Sequence, residues 1–519
     1  MGTGKSTVGP ILAARVGARF IDTDDEIARA TGRSVPDLWR DEGEAAFRAR
    51  ESKMVETLLA KGAPFAVVAF GGGTVTTRAT RHLALDCATL VTLTAAPETM
   101  VARISDFASR PNLAVGGDPV ARARALLEAR AEAYAECHAM LATDALDPDS
   151  VADAVLAVAA RDPLVVPLGA RSYTIDVCRD APALLTDAIA RCAPSSVVVV
   201  SDANVQRARG AAFEQALAPL SFGGIRVTLP AGERHKTLAS VSMIWDAALG
   251  AGIDREALVL AIGGGVVGDL AGFAASALLR GVRVLQAPTT LLAMVDASVG
   301  GKTGFDHPGG KNLLGAFHQP TGVIADLEHL TTLPARERTS GLAEIVKVAL
   351  ATDASLFEAL ERDSAAIRRG DLDALLPIVR AAIAAKAAVV RDDERESGRR
   401  AILNVGHTVG HALEAYGGYS RHLHGEAVAM GTVAELRATE QLGETPKAVV
   451  ERATALFAAL GLPALAPPGE LSSSWSFVGA DKKRMRGAVR LPVVTGIGSC
   501  RVDVVALDAF RRALLASTI

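Results

Sequence analysis

Short apolar runs that end in glycine or in a carboxylate recur along the first 330 residues of the chain. The run at 20–21 leads into Asp22 and Asp24, and the runs at 65–70 and 258–262 each lead into three glycines. Short apolar runs bounded by turn residues are typical of buried strands in a parallel sheet. Ligands bind at the carboxyl ends of such strands, so the pattern predicts sites at these points.

The remaining apolar pattern divides the chain into regions. Residues 173–177 and 196–200 are two further predicted strands, whereas the apolar positions follow helical spacing from about residue 331 onward. We therefore predict an α/β chain of three domains, at 1–162, 163–330 and 331–519, with parallel sheets in the first two and an all-helical third.

Composition and charge limit the classes of partner and the cellular location that the chain could have. The formal net charge is −3 and the pI about 6.4, which favours neither a nucleic-acid partner nor an anionic membrane partner. Five cysteines are scattered without a Cys-x-x-Cys pair, so we expect reduced thiols and a cytoplasmic location. Residues 257–279 carry only one charge, Asp269, and are long enough to span a bilayer, but the three central glycines favour a strand, a turn and a helix.

The first seven residues form the second half of a phosphate-binding loop. Backbone amides around Gly4 would cradle phosphate, Lys5 would reach the terminal phosphates, and Ser6, followed by Thr7, would bind Mg²⁺. The complete motif has a glycine five residues before Gly4, fed by an apolar strand. We therefore expect Met1 to be internal to the natural loop and the first strand of this domain to be missing.

Residues 1–162 resemble shikimate kinase, an enzyme with a parallel sheet and a P-loop. Five motifs after the loop carry the resemblance. In chain order they are the carboxylates that follow the first apolar run, the Gly-Glu-Ala-Ala-Phe-Arg segment at 43–48, the three glycines at 71–73, the Ser-Arg-Pro segment at 109–111, and a helix with Arg130 and Tyr134. The resemblance implies that ATP binds with Mg²⁺, that Asp22 places Mg²⁺ and the attacking hydroxyl, and that Arg110 lies on a lid over ATP. It implies that shikimate is held by a set of six residues: Asp24, Arg48, Gly71, Gly72, Gly73 and Arg130. The alternative is a truncated or non-catalytic kinase-like module.

A histidine-rich stretch indicates a metal site in the third domain. His407 and His411 are four residues apart and share a face if the segment is helical, and His424 follows a Gly-Gly break. Glu344, on a predicted helix with Lys347, is a candidate for a further ligand. The alternative is a set of histidines that only pack within the fold.

Glycines and lysines of the second domain indicate an anion pocket. Gly264 and Gly265 would let a pyrophosphate approach the backbone, although this turn is not a GxGxxG motif and a simple tight turn is the alternative. Lys302 and Lys311 lie among glycines, so they would bind anions unless the segment is only a flexible surface loop.

Residues 163–519 resemble 3-dehydroquinate synthase, which implies an α/β NAD-binding domain and a helical metal-binding domain. The motifs are 263–269, 296–312, 344–347 and 404–426. The resemblance implies Zn²⁺, or Co²⁺, on Glu344, His407 and His424, with His411 either contacting these ligands from outside or handling a proton. It implies that NAD is held by Asp202, Glu233, Lys236, Gly264, Gly265, Asp269, Thr289 and Thr290. It places the following around the substrate: Asp296, Lys302, Lys311, Asn312, Lys347, Lys386, Arg400, Asn404 and Lys482, with Arg280 crossing a homodimer interface.

These resemblances predict a bifunctional shikimate-pathway enzyme. One unit would convert 3-deoxy-D-arabino-heptulosonate 7-phosphate to 3-dehydroquinate and phosphate, with NAD used catalytically, and the other would phosphorylate shikimate. Two alternatives keep the larger fold: a sugar-phosphate cyclase with another substrate, and a metal-dependent alcohol dehydrogenase. A dehydrogenase needs no phosphate pocket, so Lys302, Lys311 and Asn312 argue against it.

Overall fold

A computed structural model describes residues 2–104, 118–180, 182–220, 224–482 and 487–516, without the side chains of 479–482. Its contacts divide the chain into two compact units, Met1–Thr174 and Ile175–Ile519.

The first unit alternates strands and helices. Its strands are β1 (Arg19–Asp22), β2 (Ala66–Ala69), β3 (Val91–Thr94), β4 (Ala139–Ala142) and β5 (Leu164–Val166). Its helices are α1 (Lys5–Val16), α2 (Thr23–Thr31), α3 (Val35–Leu58), α4 (Arg78–Cys87), α5 (Pro97–Ala102), α6 (Pro119–Ala135) and α7 (Pro148–Arg161). Asp118 and Asp147 cap the last two helices through their side chains, and proline occupies the first turn of each.

The strands β1 to β4 form two separate parallel pairs among the described residues. Strand β1 pairs with β2, and β3 pairs with β4. Helix α1 contacts β1 and β2, and its Val8 and Ile11 cluster with Leu93 of β3. One helix thus packs on both pairs, and they are not hydrogen-bonded to each other. A parallel sheet that lacks its central strand would have this arrangement.

The second unit begins with a parallel sheet. Its strands are β6 (Tyr173–Cys178), β7 (Val197–Asp202), β8 (Gly224–Leu229), β9 (Leu258–Gly263), β10 (Arg283–Pro288) and β13 (Gly322–Asp326), with a hairpin of β11 (Lys302–His307) and β12 (Gly310–Phe317). The six sheet strands are ordered β6-β13-β10-β9-β7-β8, and every residue of β9 is buried. The helices between them are α8 (Pro182–Cys192), α9 (Ala203–Leu217), α10 (Leu238–Gly250) and α11 (Gly265–Ala277).

The rest of the second unit is mainly helical. Its helices are α12 (Ala335–Thr352), α13 (Ala354–Arg369), α14 (Leu372–Asp392), α15 (His407–Tyr416), α16 (His424–Gln441), α17 (Lys447–Ala459), α18 (Glu470–Lys482) and α19 (Leu507–Ala516). It also contains an antiparallel hairpin of β14 (Ala488–Gly496) and β15 (Ser499–Ala506), which corrects the expectation of an all-helical region. Val489 and Leu491 of this hairpin are buried against α15, α16 and α19, so the hairpin completes the helical core.

The apolar stretch at 257–279 folds as strand β9, a glycine turn and the 13-residue helix α11. Among the described residues, every helix is too short or too polar to cross a bilayer.

Candidate active sites

The phosphate loop lies at the start of α1. Gly4 has φ 91°, a conformation that glycine adopts without strain, and it precedes a helix whose first residue is Lys5. The Ser6 hydroxyl donates a hydrogen bond to Asp22 Oδ2 at 3.2 Å. A cavity of about 450 Å³ is lined by this loop together with Asp22 and Asp24. The hydroxyl and carboxylate that the sequence assigned to Mg²⁺ are therefore adjacent.

Three of the predicted shikimate-binding residues, Asp24, Gly71 and Gly72, line the same cavity as the phosphate loop. A Cβ on Gly71 would lie 2.7 Å from an Asp24 carboxylate oxygen, and one on Gly73 would clash with the Arg48 guanidinium. Arg130 donates a hydrogen bond to the Gly72 carbonyl at 2.8 Å. Gly71 and Gly73 are thus required by the close approach of these charged side chains, and the six residues form one polar cluster.

The carboxyl edge of the second unit's sheet gathers the residues predicted to bind NAD. Asp202 ends β7 and caps α9, with its carboxylate accepting from the Asn204 amide at 2.8 Å. Gly264 precedes α11 without a side-chain cap, so the first amides of this helix remain available to an anion. A Cβ on Gly264 would lie 3.1 Å from Thr290, which follows β10 directly after Thr289.

A cluster of charged side chains connects the carboxyl edge of the second unit's sheet to the β11–β12 hairpin. Lys236 is buried and lies 2.6 Å from Asp269, and it donates to the Asn312 side chain at 2.7 Å. Burial raises the pKa of Asp269 to about 6, against the charge of Lys236, which lowers it. Lys311 forms ion pairs with Glu233 at 3.1 Å and with a carboxylate of α15 at 3.4 Å. The predicted glycine-rich loop is thus an ordered hairpin.

Further basic groups converge from the helical region. The Lys386 ammonium contacts the Asp296 carboxylate at 2.5 Å, and burial lowers the pKa of Lys386 to about 8. Arg400 donates to the Gly300 carbonyl at 3.3 Å. Asn404 donates to Glu396 at 2.6 Å, and Lys302 forms an ion pair with the same carboxylate. Glu396, which sequence reasoning missed, therefore holds two of the predicted substrate-binding groups.

Glu344 and two histidines form a cluster at the start of α15 and α16. Oε1 of Glu344 lies 3.6 Å from His407 Nε2 and 3.4 Å from His424 Nε2. All three potential ligand atoms lie within 4.8 Å of one another. His407 Nδ1 contacts the Val405 carbonyl at 3.2 Å, and this contact assigns the proton to Nδ1 and leaves Nε2 free to coordinate. The three ligands named by the resemblance are therefore together.

Electrostatics distinguish the two imidazoles. Burial lowers the pKa of His407 to about 3, so this ring is neutral. Burial opposes protonation of His424 as well, but the adjacent carboxylates of Glu344 and Glu414 raise its pKa to about 10. His424 would lose a proton when a metal binds, because a coordinating imidazole nitrogen must be deprotonated.

Three family models match the chain. Residues 226–340 match the family model for the 3-dehydroquinate synthase N-terminal part, 341–484 match the model for its C-terminal part, and 1–160 match that for shikimate kinase. A 3-dehydroquinate synthase from Pelobacter propionicus is 46% identical over 343 residues, which are 65% of this chain and 95% of that protein. The corresponding protein from Geobacter metallireducens is 45% identical, over 64% of this chain and 93% of that one.

The chain belongs to the 3-dehydroquinate synthase family. Its first 160 residues form a shikimate kinase domain, so the chain is an enzyme that combines the two families. A solved structure of ValA, a 2-epi-5-epi-valiolone synthase from Streptomyces hygroscopicus subsp. jinggangensis 5008 with NAD⁺ and Zn²⁺ bound, is also similar. It is 30% identical with a TM-score of 0.60, over 67% of this chain and 96% of that one.

The synthase cluster has the donor set that a catalytic divalent metal requires. Both carboxylate oxygens of Glu344 are buried and lack a hydrogen-bond partner among the described residues, although Lys347 forms an ion pair with one of them. A buried oxygen without a hydrogen bond is costly unless another partner, such as a cation, approaches it. Two imidazoles and one carboxylate suit Zn²⁺ with an open coordination position.

Three predicted site residues are not assembled with the others. Arg110 lies outside the described residues, as does the side chain of Lys482, although Lys482 ends α18. Arg280 is exposed, with φ 70°, and makes no recorded polar contact within the described part of the chain. His411 is also exposed, but it joins Glu414 and His424 in a second group of potential ligands.

Proposed function

We propose that the second unit converts 3-deoxy-D-arabino-heptulosonate 7-phosphate to 3-dehydroquinate and phosphate. The observation that carries this proposal is the Glu344, His407 and His424 cluster next to a dense set of basic side chains. When bound, NAD and Zn²⁺ would supply reversible oxidation of an alcohol and Lewis-acid polarisation of its oxygen. Glu344, His407 and His424 would hold the metal, and the carboxyl edge at Asp202, Gly264 and Thr290 would hold NAD.

The protein's own residues would bind the anionic substrate and stabilise developing charge. Lys302, Lys347, Arg400 and Asn404 offer cationic or amide donors to a carboxylate and a phosphate. The same donors would stabilise negative charge that develops on the substrate as phosphate leaves. Lys386, with a pKa of about 8, can hold or release a proton near neutral pH.

We propose that the first unit phosphorylates shikimate with ATP and Mg²⁺. Lys5 would bind the terminal phosphates, and Ser6 with Asp22 would place Mg²⁺. Arg48 and Arg130 suit the shikimate carboxylate, while Asp24 suits a hydroxyl. Phosphoryl transfer depends mainly on positioning and charge stabilisation, which this set of residues provides.

The two activities can be tested in one chain. The zinc-loaded protein is incubated with NAD and the heptulosonate phosphate, and separately with ATP, Mg²⁺ and shikimate, and products are identified by mass spectrometry. Lys5→Met should remove only shikimate 3-phosphate, and His424→Ala should remove only 3-dehydroquinate, so each variant is the control for the other. Absence of 3-dehydroquinate with the wild-type chain, when zinc is bound, would contradict the synthase proposal.

A second candidate function for the first unit is binding without phosphorylation. The two separate strand pairs favour this candidate, because a phosphate loop is normally anchored by a strand between them. Calorimetric binding of shikimate without formation of its phosphate would identify a binding module.

We also propose a homodimer through the second unit. Leu313 and Phe317 of β12 are 64% and 44% exposed, and His318, which follows them, contacts the Val282 carbonyl two residues after Arg280. An exposed apolar strand beside an arginine that forms no ion pair with the described residues suits a second copy of the chain. The five free cysteines support a reducing, cytoplasmic location.

A further inference from the structure

Glu414 of α15 contacts both sides of the synthase site. Its Oε2 lies 3.3 Å from His424 Nδ1, and its Oε1 lies 3.4 Å from the Lys311 ammonium. The side chain is 4% exposed, so almost the whole carboxylate is removed from water. A buried carboxylate is costly unless charged partners or hydrogen bonds compensate, and these two contacts provide them.

The contact with His424 determines which ring nitrogen can bind metal. His424 presents Nε2 to Glu344 and Nδ1 to Glu414. A carboxylate that accepts a proton from Nδ1 fixes the imidazole tautomer with its lone pair on Nε2, which is the atom next to Glu344. The same hydrogen bond restricts rotation of the ring and makes Nε2 more basic.

We infer that Glu414 is a positioning residue that orients His424 for the metal, an inference that rests on the metal centre of the proposed synthase. Lys311 pairs with the other oxygen of Glu414, Oε1, so the contact that orients the His424 ring is made by Oε2 alone. The simpler explanation is that Glu414 only neutralises Lys311, which would leave zinc binding independent of Glu414.

The His411, Glu414 and His424 group gives a third possibility, in which Glu414 is itself a metal ligand. One imidazole, His424, belongs to both groups, so two metals would have to share its two nitrogens. The geometry around Nε2 favours the Glu344 side, because His407 approaches that side as well.

Zinc affinity in the absence of NAD and substrate tests the inference. Competition with a chromogenic chelator is measured for the full-length wild-type chain and for Glu414→Ala, Glu414→Gln and Lys311→Met. Glu451→Gln, which removes an exposed carboxylate on α17, is the matched control. Glu414→Ala should weaken zinc binding about 10- to 100-fold, the usual range for loss of an outer hydrogen-bond partner. Glu414→Gln should recover part of this loss, because the amide oxygen can still accept from Nδ1.

The remaining measurements distinguish a positioning role of Glu414 from neutralisation of Lys311 and from direct metal ligation. Lys311→Met and Glu451→Gln should bind zinc within about threefold of wild type, a factor below 1 kcal/mol. The visible spectrum of the Co²⁺-loaded Glu414→Gln chain should differ from wild type, and this readout also serves if Glu414→Ala fails to fold. Unchanged affinity in Glu414→Ala, or an equal loss in Lys311→Met, would overturn the inference. A stoichiometry of two zinc ions per chain that falls to one in Glu414→Ala would overturn it in favour of a ligand role. A wild-type chain that binds no zinc would instead overturn the metal centre of the proposed function.

Discussion

Glu435 of α16 should be the main anchor of the helix that carries His407. Its carboxylate accepts hydrogen bonds from the Gly406 amide at 2.8 Å and from the Val409 amide at 2.9 Å, and the residue is 2% exposed. These amides belong to the first turn of α15, which has no side-chain cap of its own. Gly406 permits the close approach, because a Cβ there would lie 2.1 Å from the Thr432 hydroxyl.

The expected cost of removing this carboxylate follows from the two contacts. Each buried amide that loses its acceptor costs about 1–3 kcal/mol, so Glu435→Ala should destabilise the first turn of α15 by about 2–6 kcal/mol. Loss of the negative charge at a helix N-terminus contributes in the same direction. Glu435→Gln keeps one acceptor oxygen but turns an amide group toward the other N–H, so about half of the effect is expected.

Destabilisation of the first turn of α15 should increase local opening of this helix, which hydrogen exchange measured by mass spectrometry detects directly. A loss of about 3 kcal/mol corresponds to roughly 150-fold faster exchange, and the increase should be confined to 406–416. Amides of β9 should be unchanged, and Glu451→Gln, which removes an exposed carboxylate, should leave the protection of 406–416 as it is in wild type. If the amides of 406–416 in Glu435→Ala exchange within about threefold of wild type, the capping argument is wrong.

Three further outcomes follow from the synthase unit. Lys302→Ala should abolish 3-dehydroquinate formation and leave shikimate phosphorylation unchanged in a coupled assay, and parallel loss in a folded chain would mean that the activities are coupled. Mixing Arg280→Ala with Lys302→Ala chains should restore roughly a quarter of wild-type synthase activity, since half of randomly paired dimers hold one intact site; no recovery after confirmed subunit exchange would place Arg280 in its own subunit's site. The pKa of Asp269 is raised from 3.8 to about 6, so its stabilising contribution is present at low pH and is lost as pH rises through 6. Asp269→Asn should therefore gain about 2 kcal/mol relative to wild type between pH 4 and 7 in urea unfolding, and parallel pH profiles would contradict the raised pKa of Asp269.

The sequence predicted those parts of the sites that depend on local pattern. Asp22, Asp202 and Gly264 follow apolar runs, and in the structure each lies at the carboxyl end of a parallel strand. This placement is a general property of such sheets and needs no knowledge of distant contacts. Spacing alone, in contrast, favoured His407 with His411, whereas the resemblance and the structure pair His407 with His424.

Local sequence pattern did not reveal the carboxylates that contact the predicted site residues. Glu396 and Glu435 lie outside the motifs and Glu414 was assigned no role within its motif, because their roles depend on partners 8 to 103 residues away. Glu435 did carry a signal, because it is the only charge between 427 and 436, a stretch that is otherwise apolar except for Thr432. A charge in such a run is retained only where a buried partner exists, but the sequence does not name that partner.

The two units differ in how completely their sheet strands are buried. In the second unit β9 is paired on both edges and all of its residues are buried, as expected for a central parallel strand. In the first unit β2 and β3 are each paired on one edge, and most of their residues are only partly buried. Both strands nevertheless lie under α1, the helix that presents Lys5 and Ser6. Among the described residues, the phosphate loop therefore lies on strands that are each paired on one edge, so kinase activity should be more sensitive to destabilisation than synthase activity.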